Sequence, residues 1–85
     1  MDMETKTEKL THKVIEIMND LETESLTIEC CDVVVNGVLL THCYYIDGKL
    51  VFTSGDMEND KHAEEILLTN EETIKVLENI IECYD

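Results

Sequence analysis

The chain has 85 residues, with 20 aspartates and glutamates against six lysines, no arginine, and a formal net charge of −14. At 44% hydrophobic residues and without proline it is too apolar for a disordered tail, and its length allows one domain, residues 1–85, near the lower limit for a single core. Such a charge argues against direct nucleic-acid binding and against attachment to anionic membranes, and it attracts basic surfaces.

The acidic excess is uneven: residues 1–25 carry −4, residues 26–55 carry −2 and residues 56–85 carry −8. The opening MDMETKTEKL lacks the apolar core of a secretory signal, and no apolar run reaches membrane-spanning length. The expected location is therefore the cytoplasm, where thiols stay reduced.

Residues 5–22 have the pattern of an amphipathic helix. Leu10, Val14, Ile17, Met18 and Leu21 recur at spacings of three and four and form one apolar stripe. Thr5 followed by Glu8 is a capping box, while Lys9, Lys13, Glu16 and Asp20 fall on the opposite side. From Leu26 to Thr53 the composition turns to Val, Ile, Leu, Tyr and Thr, interrupted by Asn36-Gly37 and Asp47-Gly48. Both dipeptides suit type I′ turns, which need positive φ at both central residues. They predict three antiparallel strands at roughly 26–35, 38–46 and 49–54.

Two-residue turns also fix the register. The first pairs residues whose numbers sum to 73 and the second those that sum to 95. One face then collects Leu26, Ile28, Cys30, Leu39, Cys43, Tyr45, Leu50 and Phe52, the expected core. The other collects Glu29, Cys31, Val33, Val35, Val38, Leu40, His42, Tyr44, Ile46 and Val51. Beyond the sheet, Ala63, Ile66 and Leu67 predict a short helix, with an edge strand at 65–68 as the alternative. Thr69 with Glu72 is a second capping box, and Ile74, Leu77, Ile80, Ile81 and Tyr84 form the stripe of a last helix. The expected fold is α+β in the order α-β-β-β-α-α, a three-stranded antiparallel meander with helices on one face.

Three of the four cysteines and one histidine lie within residues 30–52. In the predicted register Cys30 lies opposite Cys43 and Cys31 opposite His42, on different faces, so the four cannot converge on one ion. No C-x-x-C or H-E-x-x-H spacing is present, and neither a metal nor a cofactor is expected. Cys30 and Cys43 would stand in a non-hydrogen-bonded pair with Cα atoms about 4.5 Å apart, within disulfide reach, although a reducing cytosol favours two free thiols. Cys31 beside His42 lacks an orienting group and an oxyanion site, and reads as a surface pair. His12 and His62 read as solvated side chains, and Cys83 as packing under the last turn. Asp56, Glu58 and Asp60 alternate like the start of a calcium loop, but Lys61 and Leu67 stand where that loop needs Gly and an acid; a capped helix start fits better. With no glycine-rich phosphate loop either, no enzymatic activity is expected.

Two surfaces remain. Glu64, Glu71, Glu78 and Asp85 recur every seven residues, with Glu82 beside them. On collinear helices they give about one charge per 5 Å of axis, comparable to about one per 3.4 Å along a DNA strand. That row is the expected partner-binding surface. Val33, Val35, Val38 and Leu40 cluster at the first hairpin on the face away from the helices, and predict a homodimer interface.

A helix, a sheet turned by NG and DG, and acidic C-terminal helices together resemble small phage-encoded inhibitors, including some anti-CRISPR proteins. The resemblance lies in element order and acidity and carries no residue motif. It implies a non-enzymatic inhibitor, a DNA mimic acting in the host cytoplasm on a CRISPR effector or another defence protein. The leading expectation is thus an acidic inhibitor that occupies a basic, nucleic-acid-binding surface. The alternatives are a small homo-oligomeric adaptor working through the valine face, and a redox sensor working through Cys30 and Cys43.

Overall fold

The computed structural model describes residues 5–84. Helix α1 spans Lys6–Asp20, and its predicted cap forms: Thr5 Oγ1 accepts from the Glu8 amide at 3.1 Å and donates to Glu8 Oε1 at 3.2 Å. The helix ends in a Schellman motif with Glu22 in the left-handed region at φ 55°. There the Thr23 amide donates to Met18 O and the Glu22 amide to Asn19 O.

Six strands follow: β1 (Ser25–Thr27), β2 (Val34–Val35), β3 (Val38–Leu39), β4 (His42–Ile46), β5 (Lys49–Ser54) and β6 (Glu64–Glu65). Helix α2 spans Asn70–Tyr84. The fold is α+β, with an antiparallel four-stranded sheet in the order β1-β4-β5-β6 and a separate β2–β3 hairpin. Asn36-Gly37 and Asp47-Gly48 have positive φ at both positions, as type I′ turns require. The β4–β5 ladder keeps the predicted register, with Cys43 opposite Phe52 and Tyr45 opposite Leu50. The β2–β3 hairpin keeps its own, with Val34 opposite Leu39 and Val35 opposite Val38.

The meander itself is corrected. The expected strand 26–35 breaks after Ile28 into a 3₁₀ turn, Glu29–Cys31, closed by Asp32 in the left-handed region at φ 51°. Ile28 N donates to Thr41 O, and Leu40 N donates to Val33 O. Residues 29–32 are therefore looped out opposite the Leu40–Thr41 junction. Below this excursion β1 pairs with β4 four positions away from the predicted register, so Leu26 rather than Cys30 faces Cys43. The short helix expected near residue 63 is also absent, and β6 takes its place as an edge strand against Thr53 and Ser54. Asp56 begins a turn rather than a helix: its carboxylate accepts from the Glu58 amide and from Asn59 Nδ2, and its carbonyl accepts from the Asp60 amide. At Gly55, where φ is +105°, a Cβ would lie 3.0 Å from the Ala63 backbone, so this crossing admits only glycine without rearrangement.

The core lies between the sheet and the two helices. It joins Val14 and Met18 of α1, Leu26 and Ile28 beside β1, Cys43 and Phe52, and Val76, Leu77 and Ile80 of α2. Val33, Val35 and Leu40 belong to the same cluster, at 4%, 8% and 0% exposure. The two helices lie side by side, tied by a 2.7 Å hydrogen bond from Thr7 Oγ1 to Asn70 Oδ1. Among the described residues no helix is long and apolar enough to cross a membrane.

Candidate binding surfaces and a thiol cluster

Helix α2 is held by its buried side, Val76, Leu77 and Ile80, and by a reciprocal cap at its start. The Glu72 amide donates to Thr69 Oγ1 at 3.2 Å, and the Thr69 amide donates to Glu72 Oε1 at 2.9 Å. At about 100° per residue, Glu71, Glu78 and Glu82 fall within one narrow sector opposite that buried side, and all three are exposed. Lys75 falls in the same sector, and Lys6 Nζ reaches Glu78 Oε2 at 3.4 Å, the one lysine–carboxylate pair between described residues. Glu64 does not extend the row, because it sits on β6 opposite Ser54 and not on a collinear helix. Asp85 lies outside the described residues. The continuous heptad row is thus reduced to three carboxylates on one rigid helix.

A second acidic surface was not anticipated. A cleft of about 540 Å³ opens beside the β1–β4 pair, lined by Glu22, Glu24 and Glu58 together with Tyr44, Tyr45, Ile46 and Met57. Tyr44 anchors its floor: the hydroxyl donates to Asp56 Oδ1 at 3.1 Å and accepts from the Met57 amide at 3.0 Å. The Tyr44 phenol is held above its ordinary pKa by burial first, with Asp56 and Glu58 adding to the effect. Asp56 is held below the usual carboxylate range by the Asn59 side chain and the Glu58 amide. Carboxylates at the rim and apolar carbons inside suit a side chain with a long aliphatic stem and a cationic head. In the sequence this cleft was hidden because its acids come from a helix end and a distant loop.

The chain matches no family model, no curated protein and no solved structure.

The valine surface is corrected. Val33, Val35 and Leu40 are buried in the core, and Val38, at 37% exposure, alone of the four predicted interface residues faces out. The looped-out residues 29–32 let the β2–β3 hairpin swing in, so Val33, Val35 and Val76 line one groove against α2. The hairpin exposes Val34 and Leu39 instead. On the other face of β4–β5, Tyr44 and Val51 are buried as well, and the Asp56 turn closes over Tyr44.

The cysteine geometry is corrected too. All four thiols are free, and Cys30 does not face Cys43. The sulfurs of Cys30 and Cys31, on the 3₁₀ turn, meet Cys83 on α2, and all three lie within 4.8 Å of one another. Burial first, then hydrogen bonding and proximity to Cys83, pushes the Cys31 thiol up to about 12. Nothing in the spacing of Cys83 pointed to the pair, because the contact depends on how the end of α2 docks on the turn. His42, expected beside Cys31, instead stacks on Tyr44 at 5.8 Å between ring centroids, with its Nδ1 2.8 Å from Thr41 Oγ1.

Proposed function

We propose that the chain is a non-enzymatic, acidic protein-binding inhibitor that occupies a basic, nucleic-acid-binding surface of a partner protein. A CRISPR effector or another host defence protein, met in the host cytoplasm by a phage-encoded inhibitor, is the partner class that this reading names. The observation that carries it is the set of exposed carboxylates on α2: Glu71, Glu78 and Glu82 share one face of a helix anchored by Val76, Leu77 and Ile80. A helix fixed by its core side presents charge without first ordering it, which lowers the entropic penalty of binding. With six lysines for 20 acids, most of this charge is left for a cationic partner. The cleft at Glu22, Glu24 and Glu58 adds a place where a lysine or arginine of the partner can seat its stem against Tyr44 and Met57.

The test is a titration of purified CRISPR effectors and other nucleic-acid-binding defence proteins, each with and without its nucleic acid. Competition with the nucleic acid and affinity that falls steeply with salt are expected, because exposed charges are being paired. Glu71→Lys, Glu78→Lys and Glu82→Lys together should abolish binding. A partner bound equally well at low and high salt, alongside its nucleic acid, rules the reading out.

A further inference from the structure

We propose that Cys30, Cys31 and Cys83 form a three-thiolate site for one soft metal ion. The three sulfurs already lie within 4.8 Å of one another, and no histidine, aspartate or glutamate atom joins them among the described residues. Metal–thiolate bonds of about 2.3 Å place ligating sulfurs roughly 3.8 Å apart, so closure needs about an ångström of side-chain movement. Two of the three side chains, Cys30 and Cys83, are exposed and can turn without disturbing the core.

The backbone around the site is fixed from both sides. The 3₁₀ turn is closed by Cys31 N donating to Ile28 O at 3.1 Å and Asp32 N donating to Glu29 O at 3.2 Å. The end of α2 is tied to β1 by Tyr84, whose hydroxyl donates to Thr27 O at 2.5 Å. Adjacent cysteines on a regular strand would point to opposite faces. The 3₁₀ turn removes that alternation and brings both toward α2. The four-residue excursion that breaks the sheet ladder is thus also what assembles the thiols.

Ligand chemistry narrows the ion. A donor set of three sulfurs and no oxygen or nitrogen selects thiolate-seeking ions over magnesium, calcium or manganese. Three protein ligands leave one position open, as in zinc sites that keep a water, and equally suit a three-coordinate copper(I). The strongly acidic chain draws either cation toward it. Once bound, the ion would link the β1–β2 excursion to the C-terminal turn of α2, the helix that carries Glu78 and Glu82.

The proposal is tested with zinc(II) and copper(I) separately, on the 85-residue chain reduced beforehand and kept anaerobic without added thiol, which would compete for either ion. One equivalent of metal per chain by native mass spectrometry is expected, with sulfur-to-metal charge-transfer absorption for copper and a raised unfolding midpoint for either ion. Copper alone would identify a three-coordinate site; zinc would identify one completed by solvent. Cys30→Ser and Cys83→Ser, both at exposed positions, should each weaken binding at least tenfold while the apo protein stays folded. Cys43→Ala, which removes a thiol outside the group, should leave the stoichiometry unchanged. Failure of both ions to bind at micromolar concentration, or binding that survives Cys30→Ser and Cys83→Ser, overturns the site. So does a protein that takes up no metal but forms a disulfide among these three cysteines on mild oxidation.

Discussion

Cys43 lies between Leu26 and Phe52 in the sheet, with no exposed surface. Burial pushes its thiol up from 9.0 to about 12. The folded-state value is raised above the unfolded one, so the contribution to stability is complete below about pH 9. It is lost as the pH climbs toward 12, because the unfolded chain releases that proton first. Each pH unit of that gap corresponds to roughly 1.4 kcal/mol. Tyr44, Tyr84 and Cys31 are displaced in the same direction and steepen the loss. Urea midpoints measured from pH 8 to 11 should therefore fall on the alkaline side. The Cys43→Ala variant, less stable at neutral pH for the lost contacts, should show a shallower decline. An identical slope in the variant would mean that Cys43 is not the group responsible.

Among the elements, the β2–β3 hairpin shows how one local break redistributes a whole face. Val35 and Val38 are partners across the same turn, yet Val35 is 8% exposed and Val38 37%. Val38→Lys can extend its ammonium into water and should change stability by only about 0.5 kcal/mol. Val35→Lys puts a charged side chain into the core cluster and, even with Asp32 and Glu72 along the same groove, should cost several kcal/mol, enough to unfold a domain of this size. Circular dichroism with denaturant melts would separate the two; equal tolerance would place the hairpin off the core. The break was hidden because residues 26–35 read as β-forming throughout apart from Glu29 and Asp32, and the left-handed position falls on Asp32 rather than glycine. Where local chemistry decides, the sequence was legible. Thr5–Glu8 and Thr69–Glu72 cap the two helices, the NG and DG turns adopt positive φ, and the β4–β5 register follows from its loop length. The thiol cluster and the Glu22–Glu24–Glu58 cleft depend on how distant segments dock, and no local spacing announces either.

At the scale of the whole molecule, the same carboxylates act on stability and on binding with opposite dependence on salt. Twenty acids are carried by a chain whose Cα radius of gyration is 12.5 Å, so many like charges lie within the Debye length of about 10 Å at 0.1 M salt. Folding brings them closer than they are in the unfolded chain, and their repulsion opposes the compact state. Added salt screens that repulsion, so the thermal midpoint should rise with sodium chloride, by several degrees if about 1 kcal/mol is recovered. Binding to a basic surface should weaken over the same range, because there salt screens an attraction. Reversing Glu71, Glu78 and Glu82 to lysine adds six charges, taking the formal net charge from −14 to −8. It gives up the exposed Lys6–Glu78 pair, which is worth little, while relieving the wider repulsion. The triple variant should therefore melt no lower than the parent at low salt, and its midpoint should respond less to added salt. If it also fails to compete with nucleic acid for the partner, the loss is one of surface charge rather than of folding. A triple variant that is unfolded at low salt would show instead that these carboxylates hold α2 in place, and would leave the helix face without its assigned role.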